Sequence, residues 1–243
     1  MSADGLSALL ARLAQAARPR LPWRARVRQA AQLEDSLSGA AFAGPFVEFA
    51  DRTNATLAYA DLAGADLSDA NLPYTNLSFA DLTLADLTDA CLANATLVEA
   101  ALANALLIDA NLAGANLTRA ILTNANLTRA NLPDANLSHA DLANAHLERA
   151  NLARANLTDA DLAGVDLTGA ALTDADLTRA NLKAANLTDA DLTHADLRSS
   201  AHAATAILLG AQYSERTRWP SELDARIRVR SEAISFGRWR VTR

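Results

Sequence analysis

The stretch from Ala60 to Leu72 reads A-D-L-A-G-A-D-L-S-D-A-N-L, and its period of five decides the fold. Every fifth residue from Leu57 to Leu197 is Leu, 29 times without a break. Ala stands two places before it in 27 of those 29 units, with Thr75 and Val165 the exceptions, and Asp or Asn falls between them in 21. The unit is therefore Ala, Asp or Asn, Leu, a small residue and a variable fifth. A period of five matches neither the 3.6 of a helix nor the 2.0 of a strand. Along a helix these leucines would wander around every face, and along one strand they would alternate between two. A chain that turns a corner every five residues keeps them all inside, each turn resting on its neighbours. Burying one Leu contributes on the order of 1.5–3 kcal/mol, so such a stack offsets a large ordering entropy. An Arg at a central place would bury an unpaired charge.

These units, continued to Leu197, resemble the pentapeptide-repeat family over more than half of the chain. The resemblance implies an all-β fold, a right-handed quadrilateral β-helix with four pentapeptides per coil. It implies that Leu and the Ala before it point inward while the other three positions face solvent. The 29 units then make seven to eight coils, counting one more from the irregular residues 35–54. Coils spaced about 4.8 Å apart, like β-strands, give a rod roughly 35 Å long.

Composition fits a thin, uniform core: 243 residues are 51% hydrophobic but only 5% aromatic, with nine Gly and one Cys. Charges interrupt every apolar run, so no membrane-spanning helix is expected. The Arg-rich start lacks the apolar stretch of a secretory signal, and the lone Cys91 cannot form an internal disulfide. A cytoplasmic location is the expectation. Charge is segregated: residues 1–34 carry six Arg against Asp4 and Glu34, a net +4, residues 35–198 carry −14, and residues 199–243 carry +4.

Residues 1–34 are predicted to form a helical cap. Leu6, Leu9, Leu10 and Leu13 share one helix face, Pro19 and Pro22 end the helix, and Leu9 and Leu13 would cover the first coil. A basic membrane-surface or partner helix is the other reading of this segment. The repeat domain is placed at 35–213. Leu37, Phe42 and Val47 keep the spacing, but Arg52 at a central place predicts a loop near 44–53, with Phe46 and Phe49 plugging the core. The register slips by one residue between Leu197 and Leu208. Residues 214–243 form a C-terminal cap and basic tail, in which T-R-W-P-S-E-L-D from Thr217 resembles a tail that follows many such repeats. Trp219 is read as a lid over the last coil. The runs R-I-R-V-R at 226–230 and R-W-R-V at 238–241 alternate as strands do, which predicts a hairpin or a cationic arm.

No phosphate loop, dinucleotide fingerprint or nucleophile elbow is present. His139, His146, His194 and His202 are scattered on outward positions, and none is spaced to share a metal with Cys91. Aspartate pairs and sequons such as Asn116-Leu117-Thr118 arise from the repeat itself. The expectation is a protein without catalysis, metal or cofactor.

Stacking the units at 20-residue spacing brings Asp61 and Asp81 into one column and Asp66, Asp69, Asp86, Asp89 and Asp109 onto the next face. Residues 35–118 hold 11 acids and one Arg, whereas 119–198 hold 11 acids and seven bases. One reading is that Asp and Asn satisfy the corners and keep the rod soluble. The family resemblance implies another, a mimic of B-DNA that fills the DNA-binding groove of a bacterial type II topoisomerase, DNA gyrase or topoisomerase IV, and protects it against a drug or toxin. That implies a protein partner, with no direct nucleic-acid or membrane binding. The sequence departs from the quinolone-resistance members in lacking their loop insertions and in using Leu where they often place Phe. A further set, Leu84, Val98, Ala101, Leu106, Ile108 and Ile121, puts apolar residues on outward positions of adjacent coils. Clustered apolar exposure marks association sites, here for a homodimer or another partner. Tyr59, Phe79 and Tyr74 gather elsewhere. The alternative function is a structural scaffold with no action on topoisomerases.

Overall fold

In the computed structural model, which describes residues 56–242, the five-residue period closes into coils of 20 residues. The residue before each central Leu pairs in parallel with the residue one coil on: Asp61 with Asp81, Asp81 with Ala101, Ala101 with Ile121, and so on to Asp176 with Asp196. The amide of Leu62 donates to Asp81 O at 2.7 Å and that of Asp81 to Ala60 O at 2.9 Å. A third bond, from Gly64 N to Thr83 O at 2.8 Å, ties the corners together. The result is a four-sided β-helix.

Each corner is a four-residue turn, closed for example by Ala65 N donating to Leu62 O at 3.0 Å. The third residue of the turn has positive φ in unit after unit, 59° at Tyr59, 60° at Leu84 and 68° at Gly164, while the second does not. That is the signature of a type II turn, whose second place favours Pro. Pro73 and Pro133 occupy it, three coils apart.

The Asp/Asn preference has a local cause. Asp66 Oδ1 accepts the Ser68 amide at 3.1 Å and the Ser68 hydroxyl at 2.6 Å. Asn116 Oδ1 does the same for Thr118, at 3.1 and 2.6 Å. This Asx-turn fixes the chain as it enters the corner. It also explains the Ser or Thr that so often follows Leu, since the hydroxyl joins the same acceptor.

Inside, the central leucines and the alanines before them are sealed from solvent, and Thr75 and Val165 are buried alike. The prism is narrow, so one medium side chain and one methyl group per unit fill it.

The ladder changes spacing towards its end. Asn186 pairs with Ile207 and Asp191 with Gln212, 21 residues on, and Asp196 with Arg218, 22 on. A 3-10 turn at Ala203–Thr205 takes up the first extra residue, where the sequence slips. The second extra residue is absorbed at 214–217, where the Thr217 hydroxyl donates to Leu192 O at 2.8 Å and accepts the Ser214 amide at 3.0 Å. Strand β1, Gln212–Ser214, is followed by helix α1, Ser221–Val229, and strands β2, Ser231–Ser235, and β3, Arg238–Val241. The three strands form an antiparallel sheet in the order β1-β3-β2.

Here the strand reading of 226–230 is corrected. Residues up to Val229 are helical, because burying Leu223 and Ile227 on one helix face outweighs the alternation of Arg with Ile and Val. Residues 238–241 do form a strand, and its hairpin partner is Ser231–Ser235. Trp219 lies in the core with its ring edge-on to Tyr213, centroids 5.6 Å apart, and Trp239 stacks on Tyr213 from β3 at 5.8 Å. The predicted helical cap with Leu9 and Leu13, the decayed units and the loop near 44–53 lie outside the described residues.

Candidate interaction surface

The four sides are conveniently numbered by their leucines, face 1 from Leu57, face 2 from Leu62, face 3 from Leu67 and face 4 from Leu72. Asp61 and Asp81 lie on face 2, and Asp66, Asp69, Asp86, Asp89 and Asp109 on face 3, so the seven acids occupy two adjoining sides. They do not do the same work. Asp61, Asp66, Asp81 and Asp86 hold Asx-turns, accepting the amides of Ala63, Ser68, Thr83 and Thr88 at 3.2, 3.1, 2.9 and 3.0 Å. Asp69 and Asp89 stand exposed at the third turn place and make no ion pair among the described residues, although Arg129 lies near enough to Asp89 to interact with it electrostatically.

Asp109 differs. Arg129, one coil on, grips it through both Nε, at 2.7 Å, and Nη2. This hydrogen bond holds the Asp109 carboxyl below the ordinary aspartate value. The same pairing recurs at the third turn place of later coils. Arg154 binds Asp134 at 2.7 and 2.6 Å, and Arg179 binds Asp159 at 2.8 and 2.6 Å. His194 lies 3.2 Å from Asp174. With Glu99 and Arg119, these pairs are spread over three sides: Glu99–Arg119 and Asp159–Arg179 on face 1, Asp109–Arg129 on face 3, and Asp134–Arg154 and Asp174–His194 on face 4. Sequence reasoning missed these pairs; an acid and a base 20 residues apart is the signal that could have suggested them, though not that the side chains meet.

The predicted association patch is more exposed in some parts than in others. Leu84, Leu106 and Ile121 are 66%, 39% and 46% exposed, whereas Val98, Ala101 and Ile108 are half-buried. Leu106 pairs on the ladder between Asp86 and Asn126, and Ile121 between Ala101 and Asp141. Leu84, Leu106 and Ile121 therefore share faces 2 and 3 with the acids, where the run from Asp61 to Asp109 gives way; Val98 lies on face 1. Tyr59 and Phe79 stack with ring centroids 4.8 Å apart and planes 6° from parallel.

Among the described residues no group of three His, Cys, Asp or Glu is placed to hold a metal ion, and no helix is long and apolar enough to cross a membrane. Cys91 is half-buried on the ladder of face 4 between Asn71 and Asn111. A cleft of about 240 Å³ lies between the end of the coil and α1, lined by Leu208, Leu223, Ile227 and Val241 with Arg226 and Arg230.

Eight copies of the pentapeptide-repeat model match the sequence, together covering residues 36–198. The chain belongs to the pentapeptide-repeat family. No curated protein matches the chain significantly. Among solved pentapeptide-repeat proteins, HetL from the cyanobacterium Nostoc sp. strain PCC 7120, involved in heterocyst differentiation regulation, is 33% identical over 76% of this chain and 94% of its own, with a TM-score of 0.37. QnrB1, a plasmid-mediated fluoroquinolone resistance protein, is 21% identical over 74% of this chain and 91% of its own, with a TM-score of 0.40. A protein of the Arabidopsis thaliana thylakoid lumen is 30% identical over 47% of this chain and 66% of its own, with a TM-score of 0.24. None of these likenesses bears on a partner.

Proposed function

We propose that this pentapeptide-repeat protein works by binding, without catalysis, and that residues 61–109 on faces 2 and 3 present to a partner protein the charge pattern of duplex DNA. The observation that carries this is the choice of Asp over Asn. The Asx-turn is indifferent between them, as Asn76, Asn116 and Asn126 make it equally well. Yet in the first two described coils the turn-forming position is Asp at all four places on faces 2 and 3 (Asp61, Asp66, Asp81, Asp86). On faces 1 and 4 it is Thr56, Asn71, Asn76 and Cys91, with no Asp. Corner geometry does not account for charge on two sides only.

Density supports the same conclusion. Residues 56–118 contain eight acids and no Lys or Arg. Three coils of about 4.8 Å spread those charges over roughly 15 Å, about one per 2 Å, against one per about 1.7 Å of duplex axis. Residues 119–198 keep a net −4 after their seven bases, which is about one charge per 5 Å by the same spacing. The partner this surface fits has a basic groove made for a phosphate backbone. Within the family resemblance the candidate is a cytoplasmic bacterial type II topoisomerase, DNA gyrase first.

The test is supercoiling by purified gyrase with the protein added, with and without a quinolone. Inhibition of supercoiling, or relief of drug-stabilised cleavage, that fades as salt rises is the expected result. If micromolar protein changes nothing, the scaffold reading replaces this one.

A further inference from the structure

The acids and the exposed residues Leu84, Leu106 and Ile121 share the same two faces of consecutive coils. Asp61, Asp66 and Asp69 lie in the first described coil, Asp81, Asp86 and Asp89 in the second with Leu84 at the corner joining faces 2 and 3. Leu106 and Asp109 follow in the third and Ile121 in the fourth. On face 3 the order from Asp86 to Leu106 is a direct ladder step. At Asp109 the uninterrupted acidic run ends, because Arg129 covers that carboxylate.

We infer that Leu84, Leu106 and Ile121 are the anchoring half of one composite interface, whose acidic half is the DNA-like surface, and that the occupant is a partner with a cationic groove bordered by an apolar knob. This rests on the proposed function and specifies how its partner is held. Two physical points select that occupant.

A second copy of this chain is disfavoured by charge. Leu84 and Leu106 lie within two coils of all seven acids, roughly 10 Å at the strand spacing, and Ile121 within two coils of four of them. Burying this patch against its own image would bring two sets of unpaired aspartates to within about one Debye length, near 10 Å at 0.1 M salt. A cationic partner turns the same proximity into attraction.

The second point is that the repeat does not need these side chains. Leu106 and Ile121 occupy the place where Asp or Asn otherwise makes the Asx-turn, and give up that hydrogen bond. Leu84 takes φ of 60°, a conformation that Asn tolerates and a branched aliphatic resists. Three locally unfavourable choices, exposed to 66%, 39% and 46%, gather in one region beside the charges. Charges spread over such a surface steer approach and respond to salt, whereas a desolvated apolar anchor governs escape.

The same fact makes the test clean. The variant Leu84→Asn, Leu106→Asn, Ile121→Asn restores the repeat's own preferences and adds no charge, so it does not lose its fold. Its binding to the gyrase holoenzyme is compared with that of the unaltered chain and of Asp66→Asn, Asp86→Asn, Asp89→Asn, by rates measured at about 50 and about 200 mM salt. The inference expects the acid variant to associate more slowly with a weaker salt response. The apolar variant should dissociate at least about tenfold faster with its salt response intact. If the acid variant fails and the apolar variant behaves like the parent, the composite interface is wrong and the proposed function survives. If the parent does not bind gyrase, both fall. Sedimentation equilibrium of the parent supplies the remaining check: a dimer that the three asparagines dissociate would give the patch to a second copy and overturn the inference.

Discussion

Leu87 and Leu147 stand at equivalent positions three coils apart, and the backbone around them makes the same hydrogen bonds. Both are sealed from solvent, and both amides donate across the coil at 2.7 Å, to Leu106 O and Asp166 O. A few ångströms outside them the two regions part. Outside Leu87 the third turn place of face 3 runs from Asp69 to Asp89 with no ion pair, whereas around Leu147 the same place carries Arg129 and Arg149, and on the adjoining faces 4 and 1 Arg154 holds Asp134 and Arg179 holds Asp159. The inward positions of this fold are dictated by the prism and leave almost no choice. The outward ones are left free by it, so a difference there between two otherwise identical regions is information about use.

The equivalence of the interiors can be broken first. Leu87→Ala and Leu147→Ala should each destabilise by roughly 2–5 kcal/mol, and by similar amounts, in chemical denaturation. Losses that differ by most of that range would show that the two regions are not one structure with two surfaces.

Smaller effects belong to the corners. Leu84→Asn should raise the melting temperature, relieving about 1 kcal/mol of left-handed backbone cost. Gly164→Ala should lower it by a comparable amount, because φ there is 68° and the added Cβ would meet Asn144 Oδ1 at 2.5 Å. A neutral result at both would mean that these turns are not held in the type II form.

The smallest effect is electrostatic and separates the regions by pH. Arg154 and Arg179, as hydrogen-bond donors, lower the carboxyl pKa of Asp134 and Asp159. A carboxyl depressed in the folded state adds stability that is present above the unfolded value and is lost as pH falls through the folded one. Melting temperature should therefore drop on acidification below about pH 4. The variant Arg154→Gln, Arg179→Gln should show a smaller drop and a slightly lower melting temperature at neutral pH, a difference that disappears in high salt. Acid sensitivity unchanged by the two substitutions would remove these pairs from the account of the second region.

How much of this was readable beforehand follows the same division. The solenoid, its inward leucines and the one-residue slip after Leu197 came from periodicity, while the four-unit coil and the inward alanines came from the family resemblance. The helix Ser221–Val229 was hidden by the alternation of Arg226, Arg228 and Arg230, which matches a strand locally. Only the presence of an apolar shelf for Leu223 and Ile227 decides otherwise, and sequence does not display that shelf. The second extra residue, at 214–217, escaped because Thr217 bonds to Leu192, 25 residues away. At the candidate surface, the columns of Asp61–Asp109 were legible from arithmetic. Their split into turn-holding, paired and unpaired carboxylates was not, since it depends on which side chains actually meet.

The most direct test of the central claim compares two matched neutralisations in the gyrase supercoiling assay. One chain carries Asp66→Asn, Asp86→Asn and Asp89→Asn, the other Asp161→Asn, Asp166→Asn and Asp189→Asn, from faces 2 and 3 of the second region. Both remove three charges and both leave the corners able to form. The account requires the first to weaken inhibition by about tenfold or more and the second to stay within about twofold of the parent. Equal losses from the two, or a greater loss from the second, would contradict it, because net charge rather than the DNA-like density of residues 61–109 would then be what the partner reads.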